Sequence, residues 1–218
     1  MYFFIDTENK PKAYDTLRLK FHGDTFYVYR SDLDHPIEGT TRKFIPYWRG
    51  DKNALDMQLL FDVGRLLCVE PTARCRIITS DHGIWNSAYW LRQCGYAVDA
   101  AEHTNRLHMS HMPELQLQSL KPHEAYVVSE VTTEVGMYHI EPDLTGIEAY
   151  GLDVTESAIK VLFHPESRSQ GWFWLVASII LGYLSSLSPT ATFVVDRRLI
   201  SLAQFMCMRG CKVKLLQS

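Results

Sequence analysis

Three aspartates stand where an apolar segment ends or a helical pattern begins. Asp6 follows the apolar run Tyr2–Ile5, Asp56 lies near the start of a long helical pattern, and Asp81 follows the apolar run 77–79. In an open parallel sheet the carboxyl ends of neighbouring strands converge on one crevice, so we expect these carboxylates to lie together. Carboxylates gathered in this way repel one another unless a cation neutralises them. Hard oxygen ligands suit Mg²⁺ or Mn²⁺.

A divalent cation in such a crevice supplies a defined chemistry. It activates a water molecule and stabilises the leaving oxygen during hydrolysis of a phosphodiester. The simpler interpretation of each aspartate is an N-cap, because aspartate is favoured at the start of helices. The occurrence of all three at ends of predicted elements favours the metal site.

The elements that would position these acids alternate along the first half of the chain. Short apolar runs predict strands at residues 2–5, 25–29, 44–47, 77–79 and 96–98, and helical spacing predicts helices over residues 53–67 and 84–94. This order predicts an α/β fold with a mostly parallel sheet flanked by helices. The polar stretch 104–124 predicts a linker, which gives two predicted domains, 1–103 and 125–218.

The second half repeats the pattern of the first with few identical residues. The segment 125–130 is similar to the opening strand, and residues 56–99 align without a gap with residues 171–214. This alignment sets Gly95 against Gly210. It predicts a duplicated fold with a degenerate second copy. The alternative is two unrelated α/β stretches of similar period.

The apolar segment Gly171–Leu187 is the one membrane candidate that the sequence offers. Its apolar core is shorter than the ~20 residues that cross a bilayer, which favours a buried helix over a membrane span. The chain does not open with a signal-peptide pattern, and its five cysteines are scattered in apolar surroundings without a disulfide framework. We therefore expect a cytoplasmic protein with reduced cysteines and no membrane partner.

The acidic segments resemble the signature blocks of a nuclease superfamily. FIDTEN (residues 4–9), KNALD (52–56) and IITSDHG (77–83) are similar, in order and spacing, to three blocks of PIN-like nucleases, particularly the NYN-related branch. Members of that family are metal-dependent ribonucleases with a parallel sheet and a cluster of acids. The resemblance covers about residues 1–100. It implies an endoribonuclease that cleaves single-stranded or structured RNA with Mg²⁺ or Mn²⁺.

The resemblance also implies roles for individual residues. Asp6, Asp56 and Asp81 would be catalytic and would ligate the metal. Asn9 would support the first acid, and a hydroxyl group after the fourth strand would orient a ligand or a phosphate. The residues that would contact the substrate in these ways are Asn9, Lys52, Thr79 and Ser80.

The sequence also departs from the family pattern. Gly83 stands where the family often has a further acid, and Asp99, Glu102 and Glu8 are the candidate replacements. In the second half Asp196 is the one clear acid left in place, so that half is expected to be structural or to bind substrate. A second function therefore stays open, a catalytically inactive PIN-like protein that binds RNA or a protein partner. Either protein would be a monomeric pseudo-dimer or a homodimer.

The charge balance limits how RNA is held. Lys and Arg number 22 against 25 Asp and Glu, a formal net charge of −3, which excludes general polyanion binding. RNA would need a local basic rim, and aromatic residues near the same edge could stack unpaired bases. These residues are equally consistent with a solvated face and with packing. The candidates are Lys10, Lys12, Arg42, Lys43, Arg49 and Lys52 for the rim, and Tyr47, Trp48 and Trp85 for stacking.

Overall fold

Two six-stranded sheets and the helices that flank them make up the part of the chain that the computed structural model describes. The described residues are 1–47, 53–101, 128–131, 136–140, 150–154, 158–161, 171–187, 189–195 and 199–215. The predicted α/β class, with a mostly parallel mixed sheet flanked by helices, is confirmed.

The first sheet is formed by the first half of the chain. Its elements are β1 (Tyr2–Ile5), α1 (Ala13–Leu17), β2 (Thr25–Arg30), β3 (Ile37–Glu38), β4 (Arg42–Pro46), α2 (Ala54–Val69), β5 (Cys75–Ile78), α3 (His82–Gln93) and β6 (Val98–Ala101). The strand order is β3-β4-β2-β1-β5-β6, and every pair is parallel except β3 with β4. The five predicted strands and two predicted helices are present. Sequence analysis missed α1 and β3 because such short elements show no period.

The central strand β1 is apolar along its whole length because both faces of the sheet are covered. Phe3 and Ile5 belong to a cluster with residues of α1. Phe4 belongs to the larger cluster that contains α2 and the helices of the second half. Side chains alternate between the faces of a strand, so Asp6, directly after β1, continues the face of Phe4 toward α2.

The second sheet is formed by the second half of the chain. Its elements are β7 (Val128–Val131), β8 (Gly136–Ile140), β9 (Tyr150–Val154), β10 (Ala158–Val161), α4 (Gly171–Leu187), β11 (Thr192–Val195), α5 (Ile200–Met208) and β12 (Lys212–Leu215). The order is β12-β11-β10-β9-β8-β7. The strands β10, β11 and β12 are parallel, whereas β7, β8 and β9 pair in antiparallel fashion.

The strand predicted at the start of this half does not take the place in its sheet that β1 has in the first sheet. Its described part, β7, lies at the edge of the sheet, and β10 is the strand that pairs in parallel with β11. A short apolar run predicts that a strand exists, but it does not say which strand will be its neighbour. The predicted similarity of residues 125–130 to β1 therefore does not extend to their place in the sheet.

The two halves meet through α2 and α4, which approach closely at two glycines. A Cβ atom on Gly64 would lie 2.0 Å from the carbonyl oxygen of Ile179, and one on Gly182 would lie 1.9 Å from that of Phe61. The helix α4 also contacts α3, and α2 contacts α5. The predicted burial of this apolar helix between elements of both halves is confirmed. No helix within the described ranges is long and apolar enough to span a membrane.

A buried ion pair adds a second connection between the halves. Arg209 donates through Nε to Asp62 Oδ1 at 3.0 Å, and the hydroxyl of Tyr29 donates to Asp62 Oδ2 at 3.0 Å. Arg209 also reaches Glu38 Oε1 at 3.3 Å. Burial raises the pKa of the Asp62 carboxyl, and the charge of Arg209 opposes that rise. Arg209 therefore compensates a charge that water does not reach.

Removing the cation from this pair is expected to destabilise the whole protein. Arg209→Met leaves Asp62 buried without its ion-pair partner, a change that typically costs about 3–5 kcal/mol. Urea unfolding would measure this loss, with Arg92→Met as the control, because Arg92 is exposed and lies 3.8 Å from Asp99. Equal urea midpoints for Arg209→Met and the wild type would contradict the assigned role of the pair.

Candidate functional site

Asp6 is held at the end of β1 by four hydrogen-bond donors. Its Oδ1 atom accepts from the backbone amides of Glu8 and Asn9, both at 3.1 Å. Its Oδ2 atom accepts from Asn9 Nδ2 and from Thr79 Oγ1, both at 2.6 Å. The side chain is fully buried. Asn9 therefore makes the supporting contact that the resemblance implies for it.

Thr79 connects Asp6 to Asp81. Its hydroxyl donates to Asp6 and accepts from the backbone amide of Asp81 at 2.9 Å. Asp81 in turn caps α3, because its Oδ1 atom accepts from the amides of Gly83 at 2.6 Å and Ile84 at 3.1 Å. Thr79 is completely buried. It thus contacts the carboxylate of Asp6 and the backbone of Asp81 at once.

Asp56 differs from the other two acids in having no hydrogen-bond partner in the described part of the chain. It lies in the first turn of α2 with 7% of its surface exposed. Burial, followed by the charges of Asp6, Asp81 and Glu8, raises the pKa of the Asp56 carboxyl from 3.8 to about 7. Asp6 and Asp81 therefore lie near enough to Asp56, at one end of the sheet, for their charges to act on it.

The other residues predicted for the site differ in where the structure places them. Ser80 is half-buried between Thr79 and Asp81. Asp99 lies on β6 and is paired with Arg76 at 3.0 Å, so it is engaged elsewhere. Glu8 contributes to the raised pKa of Asp56 and is the candidate replacement acid that lies near the site. Lys52, Glu102 and Asp196 lie outside the described residues, as do Trp48 and Arg49.

The glycine in place of a further acid is explained by packing. A Cβ atom on Gly83 would lie 2.8 Å from Leu175 Cδ1 and 2.9 Å from Asp81 Oδ1. Leu175 belongs to α4, so the second half occupies the space that a longer side chain would need. No local sequence signal could reveal this contact, because the two residues are far apart in the chain.

No protein-family model, curated protein or solved structure matches this chain. The chemistry of the acidic site therefore has to follow from its own residues. Asp6, Asp81 and Glu8 lie close enough for their charges to raise the pKa of Asp56, which offers oxygens that no described donor satisfies. A donor set of this kind suits a hard divalent cation such as Mg²⁺ or Mn²⁺.

Within the described ranges no group of three or more His, Cys, Asp or Glu side chains is placed to hold a metal ion. Asp6 and Asp81 both use carboxylate oxygens in hydrogen bonds. Mg²⁺ keeps several water ligands and often takes only one or two carboxylates. Asp56 fits the role of a direct ligand.

The raised pKa of Asp56 makes stability depend on pH. Between pH 4 and 7 the folded protein retains a proton that the unfolded chain releases, so stability falls as the pH rises through this window. A shift of about 3 pKa units corresponds to about 4 kcal/mol at most. We expect Asp56→Asn to be more stable than the wild type at pH 8 in EDTA and nearly equal to it at pH 4. Thermal unfolding at both pH values tests this, and a constant difference between the two proteins would contradict it.

Proposed function

We propose that the protein is a metal-dependent endoribonuclease, which hydrolyses RNA phosphodiester bonds at the acidic site with Mg²⁺ or Mn²⁺. The observation that supports this best is the Asp56 carboxyl, which is buried, unpartnered among described residues and near three other acids. A buried carboxylate without a partner costs free energy that packing does not recover, and a bound cation would offset that cost. Strongly perturbed carboxyl groups of this kind are concentrated at functional sites.

The chain supplies ligands and keeps them in place. Asp56 would hold the ion directly, Asp6 and Asp81 would contribute at most one further carboxylate, and the remaining ligands would be water molecules. The ion, when bound, activates a water molecule and stabilises the leaving oxygen. Thr79 bridges Asp6 and Asp81 and so limits how far the two acids can separate. Asn9 fixes the rotamer of Asp6 through Nδ2.

We further propose that the fold is PIN-like and that the second half is a degenerate copy. Two matching turns support the duplication. Gly95 and Gly210, 115 residues apart, both have positive φ, and each follows a helix. Tyr96 donates its amide to the Leu91 carbonyl as Cys211 donates to that of Met206. The paired contacts of α2 with α5 and of α3 with α4 also suit a pseudo-dimer.

An RNA cleavage assay on the full chain tests the proposed activity. Labelled single-stranded and hairpin RNAs would be incubated with the purified protein in Mg²⁺, in Mn²⁺ or in EDTA. We expect cleavage with either ion and none in EDTA. A folded protein that cleaves neither RNA with either ion would contradict the proposal.

One observation favours the second candidate, an inactive PIN-like protein that binds RNA or a protein partner. The carboxylates of Asp6 and Asp81 already serve structural hydrogen bonds, and Leu175 fills the space beside Gly83. Such a site could persist as a scaffold after catalysis was lost. Metal-independent RNA binding without cleavage would be the result that this candidate predicts.

A further inference from the structure

A pocket of about 700 Å³ lies beside the acidic site, on the face of the first sheet that carries α1. This volume is in the range of pockets that hold small ligands, about 300–1,000 Å³. Residues of α1 and the ends of β2 and β4 line it. The residues that matter for its chemistry are Tyr14, Arg18, Arg30, Arg42 and Phe44.

The pocket and the acidic site share one wall. Thr7 and Glu8 line the pocket and follow Asp6 directly in the chain. Glu8 also contributes to the raised pKa of Asp56, and the hydroxyl of Tyr47, another lining residue, donates to Glu8 Oε1 at 2.8 Å. Glu8 is therefore the acid near Asp56 that also lines the pocket.

Two of the three arginines in the pocket wall have donors to spare. Arg30 is paired bidentately with Asp32, at 2.9 and 2.5 Å. Arg18 forms an ion pair with Asp15, which also lines the pocket, but its buried Nε atom, 3.4 Å from Asp15 Oδ1, makes no hydrogen bond. Arg42 is exposed and forms no ion pair with a described residue. Both Arg18 and Arg42 can therefore donate hydrogen bonds to an anionic ligand.

An aromatic surface accompanies these arginines. The rings of Tyr14 and Phe44 meet edge to face, with centroids 5.4 Å apart and an interplanar angle of 81°. Arg18 lies over the Tyr14 ring, 5.8 Å from its centroid. A ligand that carries both a flat ring and a negative charge would use both features.

We propose that this pocket binds one nucleotide of an RNA strand, with its base against Tyr14 and Phe44 and a phosphate near Arg18 and Arg42. The assignment rests on the proposed ribonuclease function and names how that site holds its substrate. A phosphodiester close to four carboxylates is repelled, so the binding free energy must come from positive charge outside the acidic site. Base stacking on aromatic rings adds to it without requiring a particular sequence.

RNA binding by the full-length Asp56→Asn protein tests the pocket without cleavage. Fluorescence anisotropy with a labelled single-stranded RNA in EDTA would compare Arg42→Met and the double variant Arg18→Met/Arg42→Met with their parent. We expect about 10-fold weaker binding for the double variant, and an intermediate loss for Arg42→Met, because phosphate contacts are removed. Arg74→Met is the control, since Arg74 is exposed at the opposite end of the sheet, just before β5. Equal affinities for all four proteins would overturn the proposal.

Cleavage kinetics separate this proposal from the one on which it rests. In the active protein the double variant Arg18→Met/Arg42→Met is expected to raise KM about 10-fold, Arg42→Met is expected to raise it by less, and kcat is expected to stay nearly unchanged in both. If the wild type does not cleave but RNA binding depends on Arg42, the ribonuclease proposal fails and the pocket assignment stands. If the wild type cleaves and Arg42→Met alters neither KM nor affinity, the pocket assignment fails and the ribonuclease proposal stands.

Discussion

Asp56→Asn is expected to lower metal-dependent RNA cleavage about 100-fold or more while the protein stays folded. The change removes the charge that would hold the ion but keeps the shape of the side chain, so packing around α2 is preserved. A loss of this size corresponds to about 2.7 kcal/mol of transition-state stabilisation. It is the largest effect on activity that the site predicts, because no described donor stabilises Asp56 in any other way.

The matched control for this variant lies directly after the same helix. Glu70→Gln makes the same change, from a carboxylate to an amide, at the other end of α2, where Glu70 accepts a hydrogen bond from the Tyr2 hydroxyl. Initial rates of RNA cleavage in Mn²⁺ would be measured for both variants and the wild type. If Asp56→Asn cleaved RNA at the rate of the wild type, Asp56 would not be required for catalysis.

Gly64→Ala is expected to destabilise the protein by about 3 kcal/mol or more. Alanine favours a helix by about 1 kcal/mol over glycine, but its Cβ atom would lie 2.0 Å from a backbone oxygen of α4. A backbone atom cannot rotate away as a side chain can, so the two helices must separate. The loss of packing between the halves outweighs the gain in helix propensity.

Chemical unfolding of two glycine variants would measure this effect. Gly23→Ala is the control, because a Cβ atom there would meet nothing within 4 Å. We expect the urea midpoint to fall for Gly64→Ala and to change little for Gly23→Ala. Unchanged stability of Gly64→Ala would mean that α2 and α4 do not pack closely.

The first sheet could be predicted because most of its strands can be recognised from their own residues. Runs such as Tyr2–Ile5 are continuously apolar, which is typical of strands that are covered on both faces. The second sheet was harder to predict because β8 and β9 contain polar residues. No local sequence pattern predicted their antiparallel pairing. The place of β7 at the edge depends on its partners and not on its own residues.

The position of the acids at one edge of the sheet could be predicted from topology, whereas their hydrogen-bond and packing partners could not. Asp6 directly follows β1, and Asp81 lies three residues after β5, the parallel neighbour of β1. The crevice at this edge of the sheet could therefore be predicted. The bridging role of Thr79 and the packing of Leu175 against Gly83 depend on tertiary contacts. Asp62 and Arg209 are 147 residues apart in the chain, and local periodicity does not predict contacts at such a distance.

Binding of Mn²⁺ to the full-length protein tests the central claim most directly. Isothermal titration at pH 8 would compare the wild type with Asp56→Asn, and a second titration of the wild type at pH 6 would test competition by protons. We expect Mn²⁺ to bind the wild type at pH 8, to bind more weakly at pH 6 because the Asp56 carboxyl has a pKa of about 7, and not to bind the variant. Absence of binding to the folded wild type, or equal binding to Asp56→Asn, would contradict a metal site built on Asp56.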